Sequence, residues 1–414
     1  MNAAEQCCHV CGVPHPQALA GMEQFVPISS DIRVVDGRLV LMVCEACGVL
    51  QKQVDLAWRE SVRRVYEGYA INHQSGGADP AIFNSLYGAG PRASILIKHL
   101  TQTIALKPQG RMLDIGCASG NILRAFGAAH PGWALHGLEH NDQWRSDVMQ
   151  IPNVQGFYND LDEVVGVVAN EHFDLIVMSH VLEHISDPAA YLARLRRHLS
   201  VDGVLYVAVP DIRQNPIDLV VLDHCTHFDT ATLGAVLTRG GFATRTLRGD
   251  VLGKEIIALS RPGVGSLYGE PPYKLPLKAV AEKYLALCRS LAEQARRLRT
   301  ECATLGVMGT STAAAWIAGE LGLQVDFYVD EDPQRIGKTL FERPIYSLAD
   351  IPPGARLFIP MSAKTAQGII TRANRPDVCF EYHPENQIDD VLQRAGFLAM
   401  HGAGGLTCDG TVCG

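Results

Sequence analysis

The densest set of ligand-binding signals in the chain is Arg111-Met112-Leu113-Asp114-Ile115-Gly116-Cys117-Ala118-Ser119-Gly120, an apolar strand running into a turn of small residues. Glycine or alanine at 116, 118 and 120 lets the backbone approach a ligand closely, at the strand's carboxyl end, where open α/β sheets bind their ligands. A second apolar run over 133–138 ends in Glu139, nineteen residues after Gly120. A carboxylate in that place can accept hydrogen bonds from both hydroxyls of a ribose. Turn and acid together point to an adenosine-type ligand. The turn reads Asp-x-Gly-x-Ala-x-Gly, which separates it from the Gly-x-Gly-x-x-Gly pattern of dinucleotide enzymes.

Metal chemistry is suggested at the amino-terminal end. Cys8 and Cys11 form one CxxC knuckle and Cys44 and Cys47 a second. The apolar stretches 32–35 and 39–43, with Asp36-Gly37 between them, predict a β-hairpin that joins the two. Four thiolates satisfy a tetrahedral zinc ion and leave no open position, so the zinc expected here is structural. A segment this short has little core of its own, and metal binding would supply folding energy. A redox pair is the competing reading, and Cys7, one residue too early for the knuckle, reads as a bystander.

The elements that must carry these groups follow from length and pattern. The chain has 414 residues, 47% of them hydrophobic and 19% charged, with a net charge of -8. That composition supports two or three globular domains, excludes general disorder, and supplies no basic field for a nucleic-acid partner. No apolar run is long enough to span a membrane, and no secretory signal is evident, so a cytoplasmic location is expected. The expected fold class is α/β. Residues 1–60 form a zinc-binding module, 61–265 a cofactor domain with a helical lead-in over 61–104, 266–400 a smaller Rossmann-like α/β domain, and 401–414 a flexible Gly/Cys tail. The smaller domain is announced by a long helix over 276–303, then a strand, the turn Gly309-Thr310-Ser311-Thr312 and a helix. Arg296, Arg297 and Arg299 on the long helix read as a solvated face.

The Asp114 turn resembles the first motif of class I S-adenosylmethionine-dependent methyltransferases. Supporting pieces are Phe173-Asp174-Leu175-Ile176-Val177-Met178-Ser179-His180-Val181-Leu182-Glu183-His184, similar to the fourth strand and its loop, and the run 199–210, similar to the fifth strand. The resemblance covers about residues 105–262. It implies Gly116, Ala118 and Gly120 beneath the amino-acid end of the cofactor, with Asp114 at the strand end and Glu139 on the ribose. Asn159 would lie near adenine, and Ser179 and His180 beside the cofactor.

Taken in order, the zinc module, the cofactor core and the stretch from Val329-Asp330 to Pro344-Ile345 resemble sugar C-methyltransferases, which alkylate carbon 3 of nucleotide-linked 4-keto-deoxysugars. The acceptor implied is therefore a nucleotide-linked sugar. Carbon methylation requires a base that removes a proton alpha to a ketone, and histidine has the pKa for it. By resemblance His224 is that base, Asp223 its orienting or enolate-side partner, and His184 a second histidine facing the same pocket. His227 reads as structural. Two positions depart from the family: Val221 stands where a tyrosine is implied, and the turn at 309–312 lacks the usual aromatic. Tyr66 or Tyr69 could supply the missing phenol. The competing functions are an O-methyltransferase of another small molecule and a non-catalytic, zinc-dependent cofactor sensor.

Overall fold

A computed structural model describes residues 6–69, 71, 76–83, 85–167, 172–264 and 277–384. The expected tail at 401–414 and the loop at 269–272 lie outside the described residues. The amino-terminal part contributes β1 (Gln17–Leu19), β2 (Leu41–Val43), β3 (Leu50–Lys52) and α1 (Leu56–Glu67). Asp55 caps α1 by accepting from the Trp58 backbone N–H, and the buried stripe Trp58, Ser61, Val62, Val65 turns one face of the helix inward. The short hairpin β4 (Ala81–Ile82) and β5 (Gly90–Pro91) leads into α2 (Arg92–Thr103).

The central part alternates strand and helix: β6 (Gly110–Ile115), α3 (Asn121–Ala129), β7 (Trp133–Leu138), α4 (Arg145–Met149), β8 (Val154–Tyr158), α5 (Leu161–Val167), β9 (Phe173–Ser179), α6 (Pro188–Leu195) and β10 (Leu199–Pro210). Then come β11 (Thr226–His227), α7 (Thr230–Arg239), β12 (Phe242–Arg248) and β13 (Glu255–Pro262). Seven strands form one sheet in the order β12-β13-β10-β9-β6-β7-β8, parallel from β10 to β8, with β13 antiparallel to both its neighbours. The direction of winding reverses between β6 and β9. In such sheets the crevice at the strands' carboxyl ends beside this reversal is where ligands are held.

The carboxyl-terminal part begins with α8 (Leu277–Glu301) and continues through β14 (Leu305–Met308), α9 (Thr312–Glu320), β15 (Phe327–Val329), β16 (Thr339–Leu340), β17 (Arg343–Tyr346), β18 (Arg356–Ile359), α10 (Ala363–Ala373) and β19 (Cys379–Tyr382). Its six-stranded sheet runs β16-β17-β15-β14-β18-β19, parallel except for β16. The expected α/β architecture is present in both larger parts.

The hairpin expected over 32–43 does not form. Only its second half is a strand, β2, which pairs with β1 and β3 instead. Ile32 has a φ of 67°, a left-handed conformation that interrupts any strand. The preceding segment is drawn to the 216–222 loop: Ile28 N–H donates to the Val220 carbonyl at 3.1 Å, and Leu222 N–H to the Ile28 carbonyl at 2.7 Å. The amino-terminal sheet is completed from far along the chain. β11 pairs antiparallel with β3, giving the order β1-β2-β3-β11.

One hydrophobic core joins all three parts. It contains Met22, Phe25 and Ile28, then Val220 and Leu222, then Tyr284, Leu291 and Trp316. Trp316 is fully buried, edge-on to Phe25 with ring centroids 5.9 Å apart, and its indole N–H donates to Glu320 at 3.0 Å. Val26 N–H donates to the same carboxylate oxygen at 2.8 Å, and Arg296 pairs with the other. Arg299 likewise pairs with Asp326 at 2.7 Å and Arg297 with Glu301 at 3.9 Å, so all three arginines expected on a solvated face are engaged in ion pairs. Trp316→Ala is expected to cost about 3–5 kcal/mol of stability, measured as a lowered urea midpoint. A loss below about 1 kcal/mol would mean that this junction contributes little.

Candidate active site

The crevice between β6 and β9 is built by backbone. Gly116 has a φ of 70°, and a Cβ there would lie 2.5 Å from Val181 Cγ2, so only glycine fits the turn. The turn continues through Ala118 to Gly120, both with positive φ, and α3 starts immediately after. Asp114 is buried beneath it, and neither of its carboxylate oxygens has a hydrogen-bond partner among the described residues. Burial, and secondly the nearby Glu139, pushes its pKa well above the carboxylate range. Glu139 closes the crevice from the end of β7. One oxygen accepts from the Ala118 N–H at 3.1 Å, the other from the His140 backbone N–H at 3.0 Å and its Nδ1 at 2.7 Å.

A cluster of histidines stands beside this crevice, on the segment between β10 and α7. His224 Nδ1 lies 2.7 Å from Asp218 Oδ1, and His227 Nδ1 lies 2.6 Å from Asp218 Oδ2. Asp218 is only 3% exposed. Burial opposes its charge, but the two imidazoles outweigh that and hold it well below the usual range. In return Asp218 outweighs the burial of His224 and raises its pKa. His184 packs edge-on against His224 with centroids 4.7 Å apart. Its Nδ1 is 3.0 Å from the Asp223 carbonyl, which can only accept, so Nδ1 carries the proton.

Tyr66 links the two regions. Its hydroxyl is 3.0 Å from His184 Nδ1, and its ring lies 5.0 Å from that of His140, next to Glu139. The single His184 Nδ1 hydrogen is shared between the Asp223 carbonyl and the phenol oxygen as a three-centre bond, so the phenol accepts and its own hydrogen is left to donate elsewhere. Burial raises the phenol's pKa well above the usual value and keeps that hydrogen in place.

Comparison with known proteins agrees with this geometry. Residues 92–247 match the family model described as a methyltransferase domain. Residues 92–247 therefore carry a methyltransferase domain. Its region is 26% identical over 139 residues to the trans-aconitate 2-methyltransferase of Acidovorax sp. (strain JS42), covering 33% of this chain and 52% of that protein. The corresponding enzyme of Methylobacterium nodulans is 26% identical over 126 residues, 30% of this chain and 46% of that protein. The chain thus spans about half the length of the curated relatives it matches. Among solved structures, the S-adenosylmethionine-dependent methyltransferase of Clostridium acetobutylicum aligns with 13% identity and a TM-score of 0.34, over 41% of this chain and 90% of that one.

The residues of the methyltransferase domain fit S-adenosylmethionine. A cationic amino group would answer the unpartnered Asp114 carboxylate, and the turn at 116 is packed so closely on Val181 that it admits only glycine. The neighbouring residues serve mainly to hold the walls. Asn159 donates to the Glu139 carbonyl at 3.1 Å and steadies the end of β7. Ser179, at the end of β9, accepts from Arg92 at 2.9 Å, and Arg92 in turn pairs with Glu255 at 2.6 Å. His180 has a φ of 56° and pairs with Glu183 at 3.1 Å and Glu255 at 3.3 Å. Burial disfavours charge on His180, but Glu255 and Glu183 overcome it and raise its pKa to about 9. Glu183, His184 and His224 lie close enough to grip a cation, yet the imidazolium of His180 already answers the Glu183 carboxylate.

The four module cysteines converge. Cys8 Sγ is 3.5 Å from Cys47 Sγ, Cys11 Sγ is 3.6 Å from Cys44 Sγ, and all four sulfurs lie within 4.8 Å of one another. A tetrahedral zinc–thiolate site has sulfurs about 3.8 Å apart, from bonds of about 2.3 Å. Each knuckle closes with a glycine of positive φ, Gly12 and Gly48, whose N–H returns to the carbonyl of the first cysteine. The first knuckle reaches the histidine segment directly, since His9 Nδ1 is 2.7 Å from Thr226 Oγ1 on β11.

Of the sequence-predicted residues, His184 and His224 are brought together, while Asp223 does not pair with His224 and has a carboxylate oxygen 3.5 Å from His184 Nδ1. Its carboxylate accepts from Ser30 N–H at 2.9 Å and Ser30 Oγ at 2.5 Å, and the carboxylate that orients His224 is Asp218. The geometric reason is register: Asp223 and His224 are sequence neighbours and point apart. Asp218 was missed. Its signal is a lone acid inside the apolar run Ile217-Asp218-Leu219-Val220, a pattern that implies a buried, paired carboxylate. Gly116→Ala should weaken S-adenosylmethionine binding by roughly tenfold or more, measured by calorimetry. Unchanged affinity would show that Val181 yields and that the turn is not a tight cradle.

Proposed function

We propose that the chain is an S-adenosylmethionine-dependent methyltransferase that methylates a carbon alpha to the ketone of a small molecule, most specifically a nucleotide-linked 4-keto-deoxysugar. The observation that carries this reading is the Asp218–His224 pair, 2.7 Å apart, beside a cofactor crevice to which Tyr66 is also joined. When bound, S-adenosylmethionine supplies an electrophilic methyl group at its sulfonium. Asp114, Gly116, Ala118, Gly120 and Glu139 would hold it.

The chain's own residues divide the remaining work. Asp218 accepts from His224 Nδ1–H, which leaves the Nε2 lone pair as the base that removes the acceptor's alpha proton. The resulting imidazolium stays paired with the carboxylate. Tyr66, whose hydroxyl hydrogen is free to donate, stabilises the developing enolate oxygen, the service that Val221 cannot give. His184 fixes the phenol by donating to it. The four cysteines hold a structural zinc that fixes β3 and the first knuckle against β11.

O-methylation needs the same base but no enolate donor, which makes Tyr66 the discriminating residue. With methyl-labelled cofactor and a keto-sugar acceptor, NMR of the product should find the methyl on carbon. A methyl on oxygen would overturn the carbon assignment while leaving methyl transfer standing.

His224 is a base only when neutral. The rate constant kcat/KM should therefore fall as pH drops through a pKa above the ordinary histidine value of about 6.5. Asp218→Asn should move this limb to lower pH and reduce kcat by ~10²–10³-fold. A limb that stays in place would remove the pair from the base role. Metal analysis of the purified chain should find one zinc per chain, abolished by Cys44→Ser. Full metal content in that variant would refute the four-cysteine site.

A further inference from the structure

Asp218 has two histidine neighbours, and nothing in its own geometry selects between them: Oδ1 meets His224 Nδ1 at 2.7 Å and Oδ2 meets His227 Nδ1 at 2.6 Å. Only one of the two can be the base. The asymmetry comes from Lys52, the last residue of β3, which is fully buried. Its Nζ lies 2.9 Å from the Val221 carbonyl, 3.4 Å from the His224 carbonyl and 3.0 Å from His227 Nε2. An ammonium has three hydrogens to give, and here it meets three acceptors.

We propose that Lys52 is a positioning residue that selects the base: by donating to His227 Nε2 it holds His227 as the neutral Nδ1–H form, so that His224 alone carries the acceptor's proton. The proposal rests on the reading of His224 as the base.

The tautomers follow in sequence. Lys52 N–H donates to His227 Nε2, so that nitrogen bears no hydrogen and His227 Nδ1 must bear one. That N–H donates to Asp218 Oδ2. The carboxylate keeps its charge, since neutral His227 supplies a hydrogen bond without neutralising it. Oδ1 then accepts from His224 Nδ1–H, and the bare His224 Nε2 is the basic atom. On proton transfer the N–H bond forms at His224 Nε2, the acceptor keeps the electron pair as an enolate, and the new imidazolium faces the still-charged Asp218.

The surrounding charges point the same way. His227 faces Asp218 on one side, Lys52 on the other and His224 beyond them; burial and the Lys52 ammonium hold it down to about 4. His224 faces Asp218, Glu183, Asp223 and His184, and the carboxylates outweigh its burial. Burial lowers Lys52 itself to about 8, with Asp218, Cys225 and Asp223 opposing. Without Lys52, His227 would compete with His224 for the proton on the same carboxylate.

The test uses the full-length zinc-loaded chain labelled with 15N-histidine. Long-range 1H–15N spectra should show His227 as a neutral Nδ1–H ring throughout the pH range in which His224 becomes protonated. A His227 imidazolium, or an Nε2–H ring, in that range overturns the proposal, and this measurement needs no variant to fold. In turnover, Lys52→Met should lower kcat by roughly ten- to a hundredfold with KM changed less than about twofold. Adding His227→Asn, which keeps an N–H toward Asp218 but cannot take the proton, should restore most of that loss. A double variant no better than Lys52→Met would assign Lys52 a packing role and overturn the proposal. The reading on which it rests fails separately, since a wild-type chain that transfers no methyl to any keto-sugar removes the base assignment while the ring tautomers still report on Lys52.

Discussion

The antiparallel pairing of β3 with β11 is the constraint on which the rest of the site depends. It is only two residues long, Thr226 opposite Gln51 and His227 opposite Leu50. Through it the amino-terminal module, whose own sheet would otherwise end at β3, is completed by the segment that carries the histidines. The pairing places Lys52 under His227, His9 against Thr226, and the Cys225 carbonyl on the Lys52 N–H at 2.8 Å. A base must be held within a few tenths of an ångström to be effective, and a loop between a strand and a helix does not achieve that alone. Here the loop is made into a strand of another module's sheet.

That arrangement explains how two charged groups and two imidazoles can be buried together. An ammonium, a carboxylate and an imidazole pair at low exposure would each be costly in isolation. Lys52 and Asp218 do not touch; His227 stands between them and passes hydrogen bonds in both directions, so every buried polar atom of the relay has a partner. Such a network favours one arrangement strongly, because each broken link would leave a buried charge unanswered. The functional consequence is a fixed tautomer at His224, a few bonds away from the residue that dictates it.

The parts of this protein legible in the sequence are those whose physics is local. The strand over 133–138 was expected with the limits found, because a short apolar run ending in an acid specifies it within a few residues. The CxxC knuckles and the Asp114 turn are likewise written in short spacings. The hairpin over 32–43 failed because its alternation was real but its partner was not: residues near Ile28 find better hydrogen bonds on the 216–222 loop, almost two hundred residues away. For the same reason His224 was visible and Asp218 was not. A histidine after a cofactor strand is a recognisable position, whereas the identity of its carboxylate depends on how a buried loop turns, and the nearer acid, Asp223, turns toward Ser30.

Two unremarkable residues show where a physical reading of the sequence could have gone further. Lys52 closes the short strand Leu50-Gln51-Lys52 and Asp218 sits alone in an apolar run. Burial of either by itself would be prohibitive, so the sequence already requires that each finds a partner of opposite charge or strong hydrogen-bonding power. What it does not state is that the two requirements are met by one relay. The closing of β3 against β11 makes them one, and it ties the geometry of the proposed base to the module that carries the four converging cysteines.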